Sequence, residues 1–243
     1  MSSSEASAKE IERIIERLRA LGDEQRRARA TRFGVRSERR FGIKTPDLRK
    51  LARELGRNHE RALLLWETGW QDARHLAILT AEPKKITEAQ IEAWAADFDA
   101  WDIVDNACGS LIDKTPLARP KLREWIQRPE EYVRRAGFVL MATLAVHDKK
   151  APDDDFLGFL ELTKAAEPDP RNFVWKAVDW AVRQIGKRNP TLNAAARRTA
   201  AALAVDEDPT RRRIGRIALK ELEGAAVQER LRKRQAKRAT KNR

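Results

Sequence analysis

Apolar positions recur along this chain at three- and four-residue intervals, and no stretch alternates convincingly with a period of two. That pattern predicts helices throughout. Start signals interrupt it at short intervals. Thr45-Pro46-Asp47 offers a cap, a first-turn proline and an acid in order, and Thr87 with Gln90 offers a capping box. Thr115-Pro116, Pro129-Glu130-Glu131, Asp169-Pro170, Asn189-Pro190 and Asp208-Pro209 punctuate the remainder. The helices expected between them cover 6–21, 23–33, 46–56, 59–68, 71–81, 88–97, 100–113, 117–127, 130–147, 153–166, 170–187, 191–204 and 209–222. Short helices with proline-marked turns and no strands predict helix pairs stacked as a solenoid, with faint repeats of roughly 40 residues. A globular helical bundle is the alternative. In a solenoid, one helix of each pair lines a concave face, and that face collects the function.

Composition and charge refine this picture. The 243 residues suit one domain or one array of repeats, read here as a single domain over 1–224 and a basic tail over 225–243. The net charge is +13, from 50 Lys and Arg against 37 Asp and Glu. Residues 230–243 hold eight of those positives and no acid, so the charge is largely a property of the tail. Such a tail reads either as a phosphate-seeking arm or as a solvated end. Cys108 is the only cysteine, which leaves the fold to packing. His59, His75 and His147 are scattered singly, nothing has metal-ligand spacing, and no glycine loop could cradle a phosphate. No metal or cofactor is expected. The Ser-rich start lacks an apolar signal core and no stretch approaches the ~20 apolar residues of a membrane span, so a cytoplasmic chain without a membrane partner is expected.

Seven tryptophans stand against one tyrosine, Tyr132. Trp66, Trp94 and Trp125 lie among Leu, Ile and Ala at helical spacing and read as core. Trp101 and Asp105 are different. Four residues on a helix return a side chain to within about 40° of its starting direction, so an indole and a carboxylate share one face. An aromatic wall beside a fixed anion suits a transient cation. Arg134 and Arg135 begin an apolar helix, and adjacent residues point about 100° apart, so both cannot sit on one solvated stripe. Trp180, Arg183 and Lys187 recur at intervals of three and four residues, as an aromatic-cationic edge or as a snorkelling amphipathic face.

Four segments in order carry a resemblance: Phe41-Gly42-Ile43-Lys44-Thr45-Pro46-Asp47-Leu48-Arg49, Trp101-Asp102-Ile103-Val104-Asp105, Arg134-Arg135-Ala136, and Lys176 to Arg183 continuing through Asn189-Pro190. Over residues from about 25 to 220 the chain resembles the HEAT-like-repeat DNA alkylation repair proteins, the AlkD-like alkylpurine DNA glycosylases. The resemblance implies an all-α fold, a right-handed α-solenoid of about six HEAT-like repeats with a concave DNA-binding face. It assigns Trp101, Asp105, Arg135 and Trp180 to the active-site cleft and Arg183 to a DNA-contacting position. Arg134 and Lys187 join the DNA-binding set. Phe33 falls where the family has a cleft aromatic, often Tyr, which keeps a stacking face and loses a hydroxyl. Tyr132 stands where Trp is common and reads as packing.

Such proteins hydrolyse the N-glycosidic bond of N3-methyladenine and N7-methylguanine in double-stranded DNA. The implied reading is a monomeric, monofunctional glycosylase that grips the backbone and leaves the lesion stacked. An alkylated purine is already cationic and leaves neutral, so no general acid is required. Asp105 would stabilise the sugar oxocarbenium and orient water, Trp101 and Trp180 would present π faces, and Arg135 and Arg183 would hold phosphates. Two other readings compete: a non-catalytic binder of distorted or branched DNA, and a helical-repeat protein-interaction scaffold.

Overall fold

The computed structural model describes residues 3–32, 34–35 and 39–241, with backbone alone for 3–4 and 237–241. Among the described residues, fourteen α-helices and one 3-10 turn account for the regular structure, and no strand occurs. The expected all-α class is the observed one. Two compact units divide the chain, residues 1–117 and 118–243.

The first unit holds α1 (Ser3–Ala20), α2 (Glu24–Arg32), α3 (Thr45–Leu55), α4 (His59–Glu67), α5 (Gln71–Thr80), α6 (Glu88–Ala96) and α7 (Trp101–Ser110). α3 packs on α5 and α5 on α7, so alternate helices form a row, as in stacked helix pairs. Its core contains Leu18, Leu65, Leu76 and Ile103, together with Trp66 and Trp94, stacked 4.1 Å apart. Trp66 also donates its indole N–H to Asp97 at 2.7 Å, which satisfies the one polar atom its burial would strand.

The second unit holds α8 (Ala118–Trp125), α9 (Glu131–His147), α10 (Asp153–Ala165), α11 (Asn172–Gly186), α12 (Pro190–Ala204), α13 (Pro209–Leu222) and α14 (Ala225–Lys241). α9, α11 and α13 form one row, and α10 packs on α12. Phe138, Phe156, Phe159 and Trp125 fill the core. α13 approaches α12 closely at Gly215, where an added Cβ would lie 2.3 Å from the Ala204 amide nitrogen. No larger residue fits there without moving the helices apart.

Several local expectations hold. Thr87 accepts the Gln90 amide, one half of the expected capping box, and Asn189 accepts the Leu192 amide and Asp208 the Arg211 amide, each capping a helix. Trp66, Trp94 and Trp125 are buried, and Tyr132 packs on Phe173 at 5.8 Å. One expectation needs correction. Thr45 is the first helical residue of α3 and not its cap; that place falls to Lys44, in extended backbone with no side-chain cap bond. The basic tail, expected as a phosphate-seeking arm or a solvated end, forms a helix over Ala225–Lys241. Leu231 on α14 is buried, Gln228 donates to the Asn193 side chain, and Arg234 donates to the Lys187 carbonyl at 2.8 Å. One buried leucine and these hydrogen bonds dock a segment whose composition reads as solvated.

Candidate functional site

In the first unit the candidate residues sit at the start of α7. Trp101 opens the helix and Asp105 follows one turn later; both are half-buried, so each keeps a face toward solvent. Between them Ile103 and Val104 point into the core and set the rotation of the helix. The intervening Asp102 is bound into a polar cluster. Arg40 Nη2 donates to its Oδ2 at 2.9 Å, Gln71 Nε2 donates to its Oδ1 at 2.9 Å, and His75 Nε2 lies 3.5 Å from Oδ2. Burial pushes the Asp102 carboxyl up, but the His75 imidazole and the Arg40 guanidinium outweigh it and hold the group below its usual range. Asn106 Nδ2 lies 3.0 Å from His75 Nδ1, and Ser110 donates to Asn106 at 2.8 Å. An amide donor at Nδ1 leaves the imidazole proton on Nε2, facing Asp102. α7 is thus anchored to α5 on the side next to the candidate pair.

A second buried acid braces the same unit. Asp72, 1% exposed, accepts the amides of Phe41 at 2.7 Å and Ile43 at 3.1 Å. Gly42 between them takes φ +82°, with the Asp23 carbonyl oxygen 2.5 Å from where a Cβ would stand. The Phe41-Gly42-Ile43 motif is therefore a backbone clamp on a carboxylate, and it tethers the loop that carries Arg40.

In the second unit, Arg135 is 6% exposed and donates from Nη1 to the Phe173 carbonyl of α11 at 2.7 Å. Arg134 is half-buried, donates to the Glu167 carbonyl at 2.9 Å and lies 3.6 Å from Asp169. The two arginines do diverge, as adjacent helical positions must. Trp180 is half-buried and lies seven residues after Phe173, on the same face of α11, two turns on. Arg183 binds Asp179 at 2.7–2.9 Å and pairs with Glu221 of α13. Lys187 reaches the other oxygen of Glu221 at 2.6 Å. Burial pushes the Asp179 carboxyl up in spite of Arg183, whereas Lys187 and Arg183 overcome burial at Glu221 and hold it low. The two cations of the expected aromatic-cationic edge, Arg183 and Lys187, are engaged by Asp179 and Glu221.

Phe33 lies outside the described residues. Among the described residues no cluster of His, Cys, Asp or Glu could hold a metal, and no helix is long and apolar enough to cross a membrane. Sequence reasoning missed Arg40, Gln71 and His75, which lie 27 or more residues from Asp102 and leave no local signal. It also missed Asp179 and Glu221. The i, i+4 spacing of Asp179 and Arg183 was a visible sign of the first of these.

A family model described as DNA alkylation repair enzyme matches residues 14–222. An uncharacterized protein of Listeria innocua is 31% identical over 101 residues, 40% of this chain and 45% of that protein. Another of Listeria monocytogenes is 32% identical over the same length and shares. The match thus spans less than half the length of these curated relatives. A solved structure, described as a new family of proteins related to the HEAT-like repeat DNA glycosylases with affinity for branched DNA structures, aligns with TM-score 0.77 at 20% identity. It covers 91% of this chain and 95% of the other, which makes the fold of this chain the HEAT-like one.

Proposed function

The chain belongs to the DNA alkylation repair enzyme family, and on that premise we propose that it is a DNA glycosylase releasing cationic alkylated purines from duplex DNA. The observation that carries the reading is the half-buried pair Trp101 and Asp105 on one face of α7, with two further acids close by in sequence. Asp97 pairs with Arg74 at 2.8 Å and Asp102 with Arg40 at 2.9 Å. A carboxylate kept at the surface of a DNA-binding protein costs affinity for phosphates, and a cationic transition state repays that cost.

The N-glycosidic bond breaks with its electron pair going to the purine, which cancels the charge that alkylation placed on the base. A sugar oxocarbenium remains. Asp105 stabilises it electrostatically and takes the proton of the water that adds at C1′, leaving an abasic site. Trp101 offers a π face to the electron-poor sugar, worth about 0.5–2 kcal/mol, and Trp180 offers one to the DNA that follows α11. Arg135, mostly buried and held to a carbonyl, supplies a fixed positive field more than a reaching contact. Arg134, Arg183 and Lys187 lie nearer to solvent and bear on the DNA backbone. The lesion stays stacked because the backbone is gripped and no pocket need enclose the base.

A second reading has its own observation, the structural relative described as having affinity for branched DNA. One assay separates them. Pure protein incubated with methylated duplex releases free N7-methylguanine and N3-methyladenine above the spontaneous rate if the chain is a glycosylase. Tight binding to a four-way junction with no base released would establish the binder instead.

A further inference from the structure

The second unit contains a basic pocket of which the chemistry above uses only Lys187. It has a volume of about 550 Å³ and lies where the C-terminal ends of α9 and α11 meet the first turn of α12 and the face of α14. Lys149, Lys187, Arg188, Arg230 and Arg234 line it, against one acid, Asp153. That acid is occupied: Asn189 Nδ2 donates to both of its oxygens, at 2.8 and 3.0 Å. Arg188 donates to the carbonyls of Ala145 and Ala151, and Arg234 to those of Lys187 and Arg188. Among the described residues the side chains of Lys149 and Arg230 have no salt-bridge partner, and both are exposed. Burial and then the charges of Arg234, Arg188 and Arg230 push the Lys149 ammonium below its usual range, a sign of crowded positive potential.

We infer that this pocket, completed by α14, seats the phosphodiester backbone of DNA running on from the lesion. The inference rests on the proposed DNA reading and assigns a role to a helix that lies beyond the family-matched residues 14–222. α11 gives the reason for choosing DNA over a small anion. Lys187 belongs both to the edge that starts at Trp180 and to the pocket. Seven residues of helix advance about 10 Å, close to the rise of three base pairs at about 3.4 Å each. A strand held beside Trp180 and following α11 therefore presents a further phosphate at the pocket.

The test is the salt dependence of duplex affinity in the full chain. The pair Lys149→Ala with Arg230→Ala removes two phosphate contacts, so the slope of log K against log salt shrinks by about 2 and binding at 0.1 M salt weakens on the order of tenfold. The control is Arg232→Ala with Lys233→Ala, on the same helix, where both cations pair with Glu229. It removes the same charge and leaves the slope unchanged. Equal slopes for the two double variants would overturn the inference in favour of bulk tail charge. A wild-type slope in the first would overturn it outright, as would binding of inorganic phosphate with duplex affinity unaltered. Thermal midpoints matching wild type exclude unfolding as the cause. Base release is assayed separately: its absence with the slope effect intact counts against the glycosylase reading and leaves the pocket standing.

Discussion

The two units manage charge in opposite ways. In the first, hydrogen-bond donors answer the acids near α7: Arg40 and His75 face Asp102, Arg74 faces Asp97, and backbone amides hold Asp72. In the second, cations are abundant, and they divide by partner. Arg183 and Lys187 face carboxylates, whereas Arg135, Arg188 and Arg234 donate to carbonyls. The first unit thus fixes its acids with donors from neighbouring segments, and the second fixes arginines with acceptors from neighbouring segments.

The largest effect that would break this contrast lies at Asp102. Asp102→Ala leaves the Arg40 guanidinium, whose Nε and Nη1 are buried without hydrogen-bond partners, facing no anion. Such a loss costs about 3–5 kcal/mol, read as a lower urea midpoint, while Asp102→Asn costs less because it keeps an acceptor. A smaller effect belongs to the indole of α7. Trp101→Leu slows single-turnover base release by about 2- to 30-fold, the equivalent of 0.5–2 kcal/mol, with duplex affinity changed less than the rate. Glu221→Gln sharpens the contrast from the other side. Freed of a carboxylate, Arg183 and Lys187 gain charge for phosphates, so duplex binding tightens about threefold and its salt slope steepens by about 1.

The acid limb of stability gives the smallest signal. The folded-state carboxyl of Asp102 titrates below its usual range, so the stability it contributes is complete above the unfolded value near 3.9 and is lost as pH falls through the folded value. Urea midpoints measured from pH 6 down to 3 should fall more steeply for wild type than for Asp102→Asn.

How much of this was legible in the chain depends on range. The caps at Thr87, Asn189 and Asp208 act over three residues and could be read directly. The shared face of Trp101 and Asp105 follows from helical geometry alone. The His75–Asp102–Arg40 cluster could not be read, since its members meet only when α5, α7 and the loop before α3 pack. Glu221 is as remote from Arg183 in sequence, 38 residues away, and its arrival changes what that arginine offers. The 225–241 helix was hidden for another reason. Its composition is that of a solvated tail, and its docking rests on Leu231, Gln228 and Arg234.

Asp105 decides the account. Single-turnover release of N7-methylguanine from duplex DNA, measured at saturating protein for wild type and Asp105→Asn, isolates the electrostatic contribution from binding. Loss of about 2–4 kcal/mol of transition-state stabilisation, a rate lower by roughly 30- to 1,000-fold, with duplex affinity equal or tighter, is the predicted result. Equal rates for the two proteins would contradict it and remove the carboxylate from the chemistry.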